Sequence, residues 1–309
     1  MGMVIRNFLF HRVNEEKDVI WPPMKPVLFH SIIKQLTRKF TVVSLENYLN
    51  DPGSFKGRRK LATVCFDDGY KDNIEFAAPI LKKFNCPASF YVVSDCIDKN
   101  IPTWTYILDN IFQKTKQKTI VLHHDFVPEK FKDIPLALIS PEDQLIKDIK
   151  IWLKKISNQQ RLLILKEIGE QCSDVPLPVN KMMSWNDIRQ LGQDGFIIGS
   201  HSHTHPLLAS LEREEEISAE LTVSAQKIKQ ETGKWPQTIS YPVGNYDERV
   251  VRLSKEAGYQ YGLAVGQQFF KTGKDDHFKI PRAELHQEPA WKVQMRISGM
   301  YSLAKRIWP

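Results

Sequence analysis

Short apolar blocks alternate with longer segments of helical period along most of this chain. Val4 to Phe10, Thr41 to Ser44, Leu61 to Phe66 and Ala88 to Val93 read as strands, while Pro26 to Lys39 and Ile74 to Phe84 read as helices between them. Strand alternating with helix predicts parallel strands. The character changes from Trp104 to Asn180. There Leu145 to Ser157 and Gln159 to Cys172 mix charged and apolar residues at helical spacing, which predicts a largely helical insertion over 104–180 that covers or borders a site mouth. After Lys181 the alternation resumes to about Ala290, so we expect one domain over 1–309 with the insertion inside it. Over 291–309, Val293, Ile297, Met300, Ala304 and Ile307 recur at three- and four-residue steps among basic residues, predicting a basic amphipathic C-terminal helix.

Composition narrows the class. A chain of 309 residues with 42% hydrophobic and 26% charged residues can bury a sizeable core as an ordinary globular protein. Cys65, Cys86, Cys96 and Cys172 show no C-x-x-C spacing and read as reduced, packed thiols, which excludes a cysteine-based zinc finger. The formal charge is +7, but the basic residues are dispersed and no aromatic or glycine-rich nucleic-acid motif accompanies them, so no nucleic-acid partner is expected. No window approaches 18 apolar residues, and Met1 to Arg6 leads into the first strand with no secretory signal pattern. We therefore expect a cytoplasmic protein. Its basic C-terminal stripe either packs on the domain or touches an anionic inner membrane surface or a phosphate-bearing substrate.

The candidate chemistry lies in Gly199-Ser200-His201-Ser202-His203-Thr204-His205-Pro206. Neutral imidazole is the commonest nitrogen ligand for a divalent metal, and a catalytic zinc site generally takes three protein ligands and leaves a position open for water. The same cluster is also compatible with a solvated loop or a satisfied core network. Val64-Cys65-Phe66-Asp67-Asp68-Gly69 shifts the balance, because it puts two adjacent carboxylates at the end of a second apolar run. Thr63 to Phe66 and Ile197 to Ser200 are both short buried-type strands, so acids and histidines follow two strand C-termini. In α/β barrels, catalytic residues collect on that face.

These segments resemble polysaccharide deacetylases of the NodB-homology type, carbohydrate esterase family four, in the form found in exopolysaccharide and O-antigen clusters. Phe66-Asp67-Asp68-Gly69 matches the first motif, T/S-F-D-D-G, with Cys65 where Thr or Ser is usual, and His201-Ser202-His203-Thr204-His205 matches the second, H-S/T-x-x-H. Phe10-His11-Arg12-Val13 resembles the Tyr-His-Arg-Val that ends the first strand in many members. Met183-Ser184-Trp185 with Gly195 to Gly199, Ile239 to Gly244 and Lys279-Ile280-Pro281-Arg282 extend the likeness over most of the chain outside roughly 104–181. The resemblance implies a distorted (β/α)7 barrel. It implies a metal, Zn2+ or another divalent ion such as Co2+ or Ni2+, held by Asp68, His201 and His205, with Asp67 as general base and the backbone N–H of Val243 at the oxyanion. His203 falls on a variable position and is not counted as a ligand.

The chain also departs from the family pattern. Ser240 stands where the third motif carries an Arg that pairs with the base, and Arg282 is the candidate substitute from another strand. The D-x-x-D-W segment is absent. The Leu-x-His that supplies the general acid is missing as written, which leaves His286, in Glu284-Leu285-His286, as the nearest late histidine. The expected activity is metal-dependent hydrolysis of an N-acyl group, acetyl or formyl, from an amino sugar. The expected substrate is a nucleotide-linked or lipid-linked precursor or a polysaccharide. The alternative is a catalytically silent sugar-binding or scaffold protein of a glycan-assembly system. A phosphatase built on Asp67 and Asp68 is disfavoured, because the D-x-D spacing of aspartate-nucleophile phosphatases is missing.

Overall fold

The computed structural model describes residues 4–58, 60–136 and 144–301. Its strands are β1 (Val4–Phe10), β2 (Thr41–Val42), β3 (Leu61–Phe66), β4 (Ser89–Val92), β5 (Thr119–Val121), β6 (Asp133–Pro135), β7 (Ile197–Ser200), β8 (Thr238–Ser240), β9 (Tyr261–Val265), β10 (Phe270–Lys271) and β11 (Ile280–Glu284). Seven of them pair in parallel in the order β1-β11-β9-β8-β7-β4-β3, and β3 returns to β1. The sheet is thus a closed seven-stranded (β/α) barrel. β2 pairs in parallel with the N-terminal end of β3, and β10 runs antiparallel to β1.

Closure explains the strand composition. Every residue of β3 is buried, because one face meets the barrel interior and the other meets helices. Phe8, Phe10, Phe66 and Phe90 belong to the core between barrel and helices, with Phe66 and Phe90 stacked at 4.9 Å. Cys65, Tyr91, Leu263 and Ile280 belong to a second core. All four cysteines are free and buried.

The helices are α1 (Pro26–Lys39), α2 (Leu45–Asn50), α3 (Ala78–Lys83), α4 (Ser94–Lys99), α5 (Trp104–Lys114), α6 (Glu129–Lys132), α7 (Gln144–Leu153), α8 (Asn158–Gln171), α9 (Trp185–Gln193), α10 (Glu214–Thr232), α11 (Glu248–Glu256) and α12 (Ala290–Ser298). The helical pattern over Ile74 to Phe84 opens as a π-turn, Asn73–Ala77, before α3. Pro79 lacks the N–H that a regular helix would use there, so the register shifts.

Residues 104–136 and 144–180 form α5 to α8 together with the antiparallel hairpin β5–β6. The hairpin breaks the helical run at the β-branched Thr119-Ile120-Val121. This region has its own apolar core, including Leu108, Phe112, Ile134, Ile149 and Ile164. In α12, Val293 and Ile297 pack into the main core, whereas Trp291, and Met300 just beyond the helix, are exposed. Two basic residues of that stripe are neutralised at Glu288, which pairs with Lys292 at 3.1 Å and with the buried Arg296 at 2.7 Å. The remainder of the stripe, Ala304, Lys305, Arg306 and Ile307, lies outside the described residues.

Candidate metal centre and active site

Asp67 and Asp68 leave β3 at its C-terminal end, and Asp67 donates its amide to the Phe10 carbonyl at 3.1 Å. The chain then turns sharply, with Asp68 at φ 73° and Gly69 at φ 84°. A Cβ at Gly69 would meet Ile97 Cδ1 at 3.1 Å and Val92 Cγ1 at 3.2 Å, so only glycine follows the acid pair comfortably. His201 leaves β7 at the same end of the barrel, its amide bonded to the Val92 carbonyl at 2.9 Å. Ser202 Oγ accepts from the His205 amide at 3.1 Å, and both Ser202 and His205 have positive φ. This compact loop folds His205 back beside His201, with ring centroids 4.9 Å apart.

Asp68, His201 and His205 come together as a buried cluster whose ligand atoms all lie within 4.8 Å of one another. His201 Nε2 lies 3.3 Å from Asp68 Oδ1, and His205 Nε2 lies 3.4 Å from the same oxygen. His201 Nδ1 donates to the Ser240 carbonyl at 2.8 Å, which turns Nε2 toward Asp68, and the charges of Asp67 and Asp68 raise the His201 pKa against burial. A ring nitrogen facing a carboxylate at that distance calls for positive charge between them, a proton or a metal ion. Tetrahedral ligation at roughly 2.0–2.1 Å separates ligand atoms by about 3.3–3.4 Å. The donors therefore fit a zinc-type ion. Nδ1 of His205 is buried without a hydrogen-bond partner among the described residues. Burial drives His205 down to about 3, which outweighs the attraction of Asp68 and keeps its imidazole neutral, as a ligand must be. His203 turns away: its Nδ1 meets Ser94 Oγ at 2.8 Å.

Asp67 stands beside this cluster, 3.9 Å from His201 Nε2. Arg282, on β11 and fully buried, grips it with Nη1 to Oδ1 at 2.7 Å and Nη2 to Oδ2 at 2.8 Å. Ser240 Oγ donates to Asp67 Oδ2 at 3.0 Å and accepts from Arg282 Nη2 at 2.7 Å. The small side chain at 240 thus leaves room for a guanidinium arriving from two strands away. Burial would raise the Asp67 carboxyl, but Arg282, then His201, more than reverse this and hold it below the usual range. Asp68 is likewise held well below it, against burial, by the His201 hydrogen bond and the His205 charge.

His11, Glu284 and His286 form an adjoining group at the ends of β1 and β11. Glu284 Oε1 lies 3.3 Å from His11 Nδ1, and Oε2 lies 3.3 Å from His286 Nε2. Burial opposes ionisation of Glu284, yet the His286 bond and the charges of His11, His286 and Lys154 hold it at about 2. His11 acts electrostatically on Asp67, Asp68 and His205, whereas His286 is half-exposed. Trp21, Tyr70 and Tyr106 line the same side, with His11–Trp21, Trp21–Tyr70 and Tyr70–Tyr106 centroids 5.5, 5.9 and 5.8 Å apart. Val243, across the mouth on the turn after β8, is at φ 58°, a strained setting for a β-branched residue. Sequence reasoning gave no role to His11 or Glu284. Glu284 sits inside the very tripeptide noted for its histidine, but nothing local marks it as facing β1.

The polysaccharide deacetylase family model matches residues 55–262. Among solved structures, the chain is similar to the Streptococcus pyogenes deacetylase PplD in complex with acetate (12% identity, TM-score 0.62, covering 96% of this chain and 98% of that one). It is also similar to IcaB from Ammonifex degensii (15% identity, TM-score 0.61, 96% and 97%) and to a de-N-acetylase from Aggregatibacter actinomycetemcomitans (16% identity, TM-score 0.59, 94% and 98%). At these identities the likeness is one of fold. No curated protein matches the chain.

Proposed function

Because the chain belongs to the polysaccharide deacetylase family, with the NodB-type barrel, we propose that it is a metal-dependent hydrolase removing an N-acyl group from an amino sugar. The observation that carries this reading is Asp67, buried and ionised in the grip of Arg282, directly beside Asp68, His201 and His205. Asp68, His201 and His205 would hold the ion, for which Zn2+ is our first choice. A bound divalent metal supplies Lewis-acid polarisation of the acyl carbonyl and eases deprotonation of water.

The chain's own residues do the rest. Asp67 accepts the proton of the attacking water. Its partner Arg282 keeps the carboxylate ionised and pins both of its oxygens, so that it enters the reaction already oriented. The amide of Val243 donates to the oxyanion, a role that would explain its retained backbone strain. His11 returns a proton to the leaving amine. We assign this to His11 rather than His286 because the charge of His11 acts on both acids of the pair, Asp67 and Asp68.

The substrate we propose is an amino sugar carrying acetyl or formyl in a glycan precursor, nucleotide-linked or lipid-linked, handled in the cytoplasm. No helix among the described residues is long and apolar enough to cross a membrane. Metal analysis of the purified chain, together with mass detection of deacylated product from free, nucleotide-linked and lipid-linked amino sugars, tests the proposal. A metal-loaded protein that releases neither acetate nor formate from any of them would sink it.

A further inference from the structure

The barrel end opposite the catalytic mouth carries a second feature. Val4 opens β1 and Leu61 opens β3, so both mark the N-terminal ends of the strands, whereas the acids and histidines follow the C-terminal ends. Six residues at about 3.3 Å each put roughly 20 Å between the two ends. A groove of ≈ 870 Å³ opens there, walled by Phe40, Leu61, Phe269 and Ile297 and rimmed by Lys39, Lys60 and Lys271. The three lysines are exposed and form no ion pair among the described residues. Arg38 at the end of α1, with Lys56 and Arg58 in the loop before β3, are exposed nearby and equally unpaired. The acid on the neighbouring turn, Asp275, accepts from the Lys271 amide at 2.7 Å.

We propose that this end of the barrel docks on an anionic phospholipid bilayer, with lipid phosphates on Lys39, Lys60 and Lys271 and an acyl chain in the groove. The observations choose among occupants. A second copy would set lysines against lysines. A nucleic acid would satisfy the lysines and leave the apolar walls wet. A lipid satisfies both, because its anionic head and apolar tail match the rim and the floor in that order. The catalytic mouth then faces away from the bilayer, which suits the water-soluble, nucleotide-linked substrate and not a lipid-linked one anchored in the same membrane. Docking and hydrolysis sit on opposite ends of the barrel and are separable by experiment.

The test is sedimentation of the full chain with vesicles of phosphatidylcholine alone and of phosphatidylcholine mixed equally with phosphatidylglycerol. Binding should require phosphatidylglycerol and weaken as salt screens the lysines. Combining Lys39→Gln, Lys60→Gln and Lys271→Gln should lower partitioning roughly 100-fold, about fivefold for each lysine at the surface. The same three changed to Arg should bind like the native chain, which separates lost charge from lost folding. Val4→Asp, at the groove edge, should weaken binding while leaving hydrolysis of a soluble amino-sugar analogue unchanged. Removing equal charge from the exposed Lys118, Lys147 and Lys166 should do nothing to binding. The proposal is overturned if the groove variant binds like the native chain, if the distant control loses as much, or if Lys305→Gln with Arg306→Gln alone abolishes binding.

Discussion

Replacing Arg282 by Met tests the clamp on the candidate base. The change keeps an apolar stem of similar length and deletes the guanidinium that makes two charge-assisted bonds to Asp67, at 2.7 and 2.8 Å. It also removes the guanidinium's bonds to Ser240 Oγ at 2.7 Å and to the Ala264 carbonyl at 3.3 Å, leaving Ser240 Oγ only its bond to Asp67. Charge-assisted bonds contribute roughly 1.5–3 kcal/mol each, and breaking a buried pair by removing one partner costs about 3–5 kcal/mol. We expect the variant to lose about 3–5 kcal/mol at neutral pH, read by urea denaturation.

The pH dependence has a definite sign. The folded-state pKa of Asp67 is depressed, so in the native chain the pair's contribution is present above the unfolded carboxylate value, near about 3.9, and is lost as pH falls through the folded value. Without Arg282 burial wins and Asp67 titrates above its ordinary range. The stability deficit should therefore be largest at neutral pH and shrink on acidification, and the acid limb of the kcat/KM profile should move to higher pH. Adding Asp67→Asn to Arg282→Met should recover much of the stability while leaving the enzyme inactive, since no charge remains to be stranded. A deficit below about 1 kcal/mol together with an unmoved acid limb would refute the clamp.

Three further outcomes follow from the same geometry. Asp67→Asn should retain bound metal but lose turnover on the order of 10²–10⁴-fold, whereas His205→Ala should lose metal as well, by metal analysis after dialysis. His11→Asn should lower kcat on a similar scale of about 10²-fold or more with metal retained, while His286→Ala should leave kcat within about threefold; the reverse ranking would return the acid role to His286. Burial raises the Asp72 carboxyl to about 6 against the pull of Arg12, so the native chain should lose roughly 3 kcal/mol of stability as pH climbs from below 4 through 6, and Asp72→Asn should flatten that limb in urea titrations across pH.

The fold was legible wherever one strand's sequence announced its own environment. Leu61-Ala62-Thr63-Val64-Cys65-Phe66 has no polar face, and in the structure both faces are buried. The seven-strand count came from family resemblance rather than periodicity, because β8 is only three residues long and β7 only four. So short a strand carries too few side chains to show a period of two. The hairpin within 104–180 escaped for the same reason, since β5 and β6 offer three residues each.

The site divides along a sharper line. Asp67 with Asp68, and His201 with His205, are near neighbours in sequence, and each pair's geometry is set by its own turn, so a short motif is enough to expose them. The Asp67–Arg282 clamp spans 215 residues and the Glu284–His11 contact joins β11 to β1, so neither leaves a local pattern. What makes both contacts is barrel closure: β11 lies between β9 and β1, two strands from β8, and presents Arg282 to Asp67 just where Ser240 has vacated the volume of a long side chain. We propose that the missing arginine of the third motif and the arginine of the last strand are one feature. A guanidinium needs only to end on the carboxylate, and a closed barrel lets more than one strand deliver it.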